Sequence, residues 1–410
     1  MPAVETLRSV IRFREFERDP VERRLRRAAN VDDLRRTARR RLPGGVFDYI
    51  DGGAEDELTL RRNSGSFGRI EFRPRVLVDV SSIDTSTELL GLHLPVPLYL
   101  GPTGFTRIVT PRGELDVAEA AGRASLPYTL STLGTRTIEE VAAVGSGPKW
   151  FQVYVWKDRG LVKEMISRAK ASGYHALMLT VDTVLQGRRE RDLRRGFSLP
   201  PKIGPETIVD GALHPAWTWS LLRSEPITFA NLTGSSVPDG STAVRLGDLI
   251  GSQFDPSLSW RDLDWLRSVW DGPIVVKGIQ CVEDAVIAAD AGVEAISLSN
   301  HGGRQLDGAP PPIELVAPVV DAVGDRAAVI CDGGVRRGSD IVKAVALGAR
   351  ACSIGRAYLY GLAAGGPRGV DHVLSMLAAG VRQTMGLLGA RSVAELAPEM
   401  VHFRPVGDGR

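Results

Sequence analysis

The sequence predicts an α/β protein: a closed (β/α)8 barrel of the TIM type, with an N-terminal helical arm and a long lid after its fourth strand. Three observations carry that prediction. Eight short β-type runs recur from about residue 96, and several are separated by stretches with apolar residues at helical spacing, such as 160–172 and 282–291. The runs are apolar almost end to end, as strands are when helices cover both faces of a parallel sheet. An open doubly wound sheet normally carries fewer parallel strands and often a glycine-rich first turn, and no GxGxxG occurs here.

The elements follow in order. Residues 1–42 hold thirteen Arg against seven Asp or Glu, a net of +6 in a chain that totals +2. They read as a basic helical arm, either solvated or drawn to anionic lipid or an acidic partner. Leu42-Pro43-Gly44-Gly45 breaks the pattern, and the barrel domain occupies 43–400. Its strands are expected at 96–100, 127–132, 150–155, 176–182, 273–278, 295–300, 327–332 and 351–355. About ninety residues separate Asp182 from Pro273, too many for a structureless loop, so a lid insertion of about 183–257 with some helix of its own is expected. Trp217 and Trp219 lie in it, as does a softer stretch at 235–241. The two tryptophans suit core packing, substrate cover or interfacial anchoring. A tail from 401 to 410 ends the chain.

Composition narrows the function. The 410 residues carry 51 basic and 49 acidic side chains, a balance that argues against nucleic acid as a partner. Cys281, Cys331 and Cys352 have no CxxC or Cys/His metal spacing and read as buried thiols in a reducing compartment. Charges at Glu5, Arg8, Arg12 and Arg14 leave no apolar signal-peptide core, and no eighteen apolar residues run together. A cytoplasmic protein is expected, at most peripheral on the membrane face.

In such a barrel the reactive groups gather at the carboxyl ends of the strands. Those ends offer Pro102-Thr103-Gly104, Ser131-Thr132-Leu133, Gln152-Val153-Tyr154, Thr180-Val181-Asp182, Lys277, His301 with Arg304, Asp332-Gly333 with Arg336, and Gly355-Arg356. The last two ends suit a phosphate, because glycine admits backbone amides and Arg336 and Arg356 add charged donors. A turn with solvated arginines would look the same. His301, followed by two glycines and Arg304, suits a general base beside a carboxylate binder, with Asp182 to orient the ring. Structural roles for both are the alternative. Gln186-Gly187-Arg188-Arg189 offers a second anion clamp or a solvated basic run. Lys277 ends an apolar strand and is costly to bury without an anionic partner.

SNHGGRQLDG, TVDTVLQGRRERD, VVKGIQ, CDGGVRRGSDIVKAVALGA and IGRAYLYG together resemble the FMN-dependent α-hydroxy acid oxidoreductases over about residues 30–400. That family includes glycolate oxidase, flavocytochrome L-lactate dehydrogenase and mandelate dehydrogenase. The resemblance implies a flavin-bearing barrel, often a homotetramer, that oxidises a 2-hydroxy acid to the 2-oxo acid. It implies that His301 is the base and Asp182 its partner, that Arg304, Arg189 and Tyr49 grip the carboxylate, and that Tyr154 lies near the hydroxyl. Lys277 resembles the lysine at the flavin N1/O2 edge. Pro102, Thr103, Gly104, Ser131, Gln152 and Thr180 match positions along the isoalloxazine and ribityl chain, and Asp332, Gly333, Arg336, Gly355 and Arg356 match the ribityl and phosphate end.

Two departures bear on the substrate. Gly104 stands where many small-acid oxidases have alanine, which opens room as in mandelate dehydrogenase. Leu133 resembles the bulky side chain of lactate-type enzymes and closes it again. The expected reaction is oxidation of an (S)-2-hydroxy acid, L-lactate first, with electrons passed to a quinone-like acceptor. The alternatives are an oxygen-using oxidase, a mandelate-type dehydrogenase, a tailoring enzyme for peptide-derived substrates and a flavin-binding scaffold without catalysis. Arg304 argues against the tailoring enzyme. The complete set of Tyr49, Tyr154, Asp182, Arg189, His301 and Arg304 argues against the scaffold.

Overall fold

A computed structural model describes residues 17–195, 204–232 and 253–404. Eight parallel strands close into a barrel: β1 (Leu98–Leu100), β2 (Tyr128–Ser131), β3 (Lys149–Val153), β4 (Ala176–Thr180), β5 (Ile274–Ile279), β6 (Ala295–Ser299), β7 (Ala328–Asp332) and β8 (Ala351–Ile354). Each falls on an expected run. Most of the runs extend past the last ladder residue, because their polar ends, such as Val181-Asp182 and Asn300, leave the sheet to form loops. The barrel interior is packed. Tyr99 and Trp150 fill it from β1 and β3, with rings 4.7 Å apart, against the small Ala176, Ala295 and Ala351 of other strands. Large against small lets the layers interdigitate.

Two small sheets have no counterpart in the expected pattern. The hairpin Thr87–Leu89 and Leu92–Leu94 buries Leu89 and Leu94 with the interior residues, and His175 Nε2 lies 2.8 Å from the Leu90 carbonyl. It plugs the barrel at the amino end of the strands. Ile70–Phe72 pairs antiparallel with Val401–Phe403, so the expected tail begins as a strand. Residues 405–410 lie outside the described residues.

The basic arm is tied down from residue 17, and residues 1–16 lie outside the described residues. Helices Pro20–Leu25 and Val31–Arg41 pack on Arg356–Gly365, the helix after β8, burying Leu25, Val31, Leu34, Ala38 and Leu42. Asn30 caps the second helix by accepting from Asp33 N at 3.0 Å. Arg24 and Arg41 donate to the carbonyls of Ala364 and Ala363 at 3.1 and 2.8 Å. These two arginines are half-buried and serve the packing of the arm on the barrel. Arg18, Arg26, Arg27, Arg36, Arg39 and Arg40 remain exposed.

The described part of the lid carries short helices, Glu190–Arg194, Pro205–Leu213 and Pro215–Leu222; residues 235–241 lie outside the described residues. Its tryptophans part company. Trp217 is half-buried and donates to the Ile108 carbonyl at 2.8 Å, whereas Trp219 is exposed with the Arg223 guanidinium 4.2 Å above its ring. Ile208, Val209, Leu213 and Leu222 are exposed beside it. Among the described residues no helix is long and apolar enough to cross a membrane.

Helix Gly44–Asp51 joins arm, barrel and lid through one carboxylate. Asp51 is 3% exposed and accepts from Arg35 at 2.5 and 2.7 Å, from Arg191 at 3.0 Å and from the Tyr360 hydroxyl at 2.7 Å. Burial opposes its charge, but these donors overcome that and hold its pKa at about 2, against 3.8 ordinarily. A depressed carboxylate pKa contributes stability that is complete above the unfolded value and lost as pH falls through the folded one. We expect about 2 kcal/mol of stability to disappear between pH 4 and pH 2 from this group. Asp51→Ala, which takes the buried partner from two part-exposed arginines, should cost about 2–3 kcal/mol at neutral pH. Urea unfolding of both proteins at pH 7 and pH 3 measures this, and the variant should show the smaller pH dependence.

Candidate active site

At the carboxyl ends of the strands lies a cleft of about 820 Å³. Every site residue named from the sequence lines it except Asp182, which stands behind His301. His301 leaves β6 with φ +57, a left-handed conformation rare for a side-chain-bearing residue. Its backbone N–H donates to Ser299 Oγ at 3.1 Å, and its Nδ1 lies 2.9 Å from Asp182 Oδ1. The Asp182 side chain is 1% exposed and that of His301 26%, so the acid is sealed and the ring is reachable. Burial lowers the His301 pKa below 6.5 despite the pull of Asp182 in the other direction. A neutral imidazole whose Nδ1–H donates a hydrogen bond to Asp182 carries its lone pair on Nε2, as a general base requires.

Two guanidiniums share the cleft with that ring. Arg304 Nη1 donates to the carbonyls of Tyr49 at 2.6 Å and Gly52 at 3.2 Å, and the group sits 5.1 Å from the centre of the Tyr49 ring. Burial, with the neighbouring charge of Arg189 adding to it, lowers its pKa to about 9. Arg189 caps helix Glu190–Arg194 and stands 3.7 Å from Asp192, a nearly buried acid whose pKa burial raises. Tyr154 completes this end, its ring edge-on to Phe254 at 5.5 Å and its hydroxyl pKa raised by burial and by Asp182.

The deeper end is a polar network. Lys277 Nζ is 2.9 Å from Asp332 Oδ2 and donates to Ser299 Oγ at 2.8 Å; Ser299 passes a bond to Asp332 at 2.7 Å, and Ser353 bonds its other oxygen. Burial alone would strip the lysine charge, but Asp332 and Asp182 reverse this and hold its pKa above the ordinary value. Asp332 is thus the lysine's ion-pair partner as well as part of the cleft wall. Arg356 donates to the carbonyls of Ile50, Gly302 and Gly52 at 3.0, 2.8 and 2.8 Å, and Arg336 to Val335 at 2.8 Å.

These residues fit a flavin nucleotide. Gln152 Oε1 accepts from Ser131 at 2.9 Å, while its Nε2 and Thr180 Oγ1 are buried in the cleft wall with no partner. Gly333 and Gly334 have φ of +131 and +81. A Cβ built on Gly355 meets nothing nearer than Thr103 Cγ2 at 3.6 Å, so the backbone there is open to a ligand.

Some participants carry no sequence signal of their own. Glu114 is fully buried and accepts from the Thr135 N–H and hydroxyl at 2.8 Å and from Thr106 N at 3.3 Å, which clamps the loops after β1 and β2 together. Those loops bear Gly104 and Leu133, and a Cβ on Gly104 would stand 3.1 Å from Leu133 Cβ. Phe229 and Phe254, from the return leg of the lid, also line the cleft. Only contacts far along the chain mark them out.

The chain matches the family described as FMN-dependent dehydrogenase over residues 38–403. It is 43% identical to an L-lactate dehydrogenase of Caulobacter vibrioides over 90% of this chain and 96% of that one. Among solved structures it is similar to the monotopic membrane protein (S)-mandelate dehydrogenase, with a TM-score of 0.89 and 40% identity over 92% of this chain and 100% of that one. A mandelate oxidase matches with a TM-score of 0.79 and 37% identity over 92% and 98% of the two chains.

The protein should purify with FMN, and Arg356→Ala should retain it more weakly, since the change removes a cation and frees the turn at residues 50–52. Dialysis followed by FMN titration, read by flavin fluorescence, tests this. Unchanged retention in the variant would remove Arg356 from the cofactor site.

Proposed function

The chain belongs to the FMN-dependent dehydrogenases that oxidise hydroxy acids, with FMN as cofactor, and from that premise we propose that it converts L-lactate to the 2-oxo acid and passes the electrons to a quinone-like acceptor. The observation that carries the reaction is the placing of Arg304 and Arg189 beside the His301–Asp182 pair in one cleft. When bound, FMN supplies the two-electron acceptor. The chain does the rest. A planar guanidinium fixes a carboxylate in two-toothed geometry, and Tyr49 and Tyr154 close the polar end. His301 Nε2 takes the proton, from the hydroxyl if hydride leaves Cα and from Cα if a carbanion forms. Asp182 then stabilises the imidazolium. Lys277, held charged by Asp332, presents an ammonium group at the deep end of the cleft.

Leu133 favours lactate over mandelate in this reading. It touches the space that Gly104 leaves, so the glycine's missing Cβ is already taken up by the leucine. The lid supports a membrane-borne acceptor: Trp219, Leu213, Leu222, Ile208 and Val209 present apolar surface with Arg223 beside it, a composition suited to a lipid interface. A homotetramer is part of the proposal, as the family resemblance implies, and the exposed Val76, Leu77 and Leu387 offer apolar surface for subunit contact.

Anaerobic mixing with a panel of 2-hydroxy acids tests the substrate. L-Lactate should bleach the flavin faster than mandelate, and Leu133→Ala should narrow the gap. His301→Gln should keep its flavin and reduce it about 10²–10⁴-fold more slowly. A wild type that strongly prefers mandelate would overturn the lactate assignment.

Reoxidation tests the acceptor. In stopped flow a soluble quinone should reoxidise the reduced enzyme at the turnover rate and oxygen far more slowly. Air-level oxygen acting as fast as turnover would make the protein an oxidase.

A further inference from the structure

The two functional pairs lie across one junction. His301 and Arg304 belong to the loop after β6, whereas Asp182 and Arg189 belong to the segment after β4. Residues 182–189 form no helix or strand, so their shape must come from outside. Gln305, next to Arg304, spans the gap with its side-chain amide. Its Nε2 donates to the carbonyls of Asp182 at 3.0 Å and Leu185 at 2.8 Å, and its Oε1 accepts from Gly187 N at 3.1 Å. At Gly187 the two backbones touch: a Cβ there would fall on the Arg304 carbonyl and within 2.6 Å of Gln305 Cα.

We propose that Gln305 is a positioning residue that sets the register of these two loops, and with it the geometry of both the base pair His301–Asp182 and the carboxylate clamp Arg304–Arg189. Its three bonds fall at 182, 185 and 187, spread along the stretch that joins Asp182 to Arg189, so they hold the segment and not one end of it. The chemistry calls for a neutral amide. A carboxylate would lose both donations to carbonyls and put a charge beside the arginines; a lysine could not accept from Gly187. Leucine at this position leaves two carbonyls and one N–H to find new partners, and the segment moves to reach them. Displacement shifts Asp182 from His301 and Arg189 from Arg304 together, because all four sit on the same two loops. Errors of about 1 Å in such a constellation cost on the order of 10²-fold in rate.

The proposal rests on the roles given above to His301 and the two arginines, so its test uses readouts that do not need turnover. The FMN-loaded Gln305→Leu protein is compared with wild type for the His301 titration, by NMR of labelled imidazole, and for affinity of oxalate, by the change in flavin absorbance. We expect the His301 pKa to fall, since Asp182 no longer supports its proton, and oxalate to bind at least tenfold more weakly, since the clamp has opened. Gly187→Ala pries the junction apart from the other side with the Gln305 amide intact, and should give the same paired change if the leucine variant loses its flavin. A variant in which either readout stays at the wild-type value, whatever its melting temperature, overturns the proposal. Flavin reduction by 2-hydroxy acids in the wild type, recorded alongside, reports on the functional reading separately.

Discussion

The turn at Ile50–Gly52 holds two buried guanidiniums by its carbonyls, and the organisation of the site follows from that choice of acceptor. The Tyr49 and Gly52 carbonyls take Arg304, and the Ile50 and Gly52 carbonyls take Arg356. A carbonyl fixes a guanidinium in place without cancelling its charge. Had these partners been carboxylates, both cations would be neutralised in the resting protein and would have little attraction left for a ligand. The carboxylate that does appear here, Asp51, is turned away from the cleft and spent on Arg35 and Arg191, which lock the turn in place. One charge pair supports the scaffold so that the adjacent backbone can leave two others unspent.

The same distinction separates Lys277 from His301. Both stand near the strand ends, and in both burial works against the charged form. The lysine faces Asp332, itself fixed by Ser299 and Ser353, and its charge is held above the ordinary range. The histidine has only Asp182, which loses to burial, and the ring stays neutral. A permanent cation and a neutral imidazole thus stand at neighbouring strand ends because their carboxylates are presented differently. Ser299 touches both, accepting from Lys277 and from the backbone of His301.

How far the sequence discloses this depends on the range of each interaction. The eight strands were legible because a parallel strand covered on both faces must be apolar throughout, so each run carries its own signal. The site residues were legible because barrel chemistry gathers at strand ends, and because the ordered motifs resemble a known family. What stayed hidden is made of pairings between distant segments. Nothing local in Phe47-Asp48-Tyr49-Ile50-Asp51 announces that its carbonyls face Arg304 and Arg356. Nothing in the arginine-rich arm separates Arg35, bound to Asp51, from Arg39, which is exposed. The three-residue strands at 70–72 and 401–403 are too short for an alternating pattern, and only their pairing defines them. Trp217 and Trp219 are two residues apart with similar neighbours, and only the Ile108 carbonyl assigns one to the core and the other to the surface.

Under the proposed function, Arg304 and Arg189 give the cleft its preference for a small carboxylate. Burial opposes the Arg304 charge, and the neighbouring Arg189 adds to that, until the Arg304 pKa falls to about 9. A protein built for stability alone would not bury two like charges side by side with a third, Arg356, close by. In the proposed function an entering carboxylate would relieve that repulsion, so part of the binding energy would be stored in the resting site. The same strain works against a neutral acid or an ester, which would leave both cations as they are. Asp192, beside Arg189 and with its pKa raised by burial, tempers the repulsion without ending it. Selectivity for the anion and the cost of holding the site open to it are therefore one physical fact.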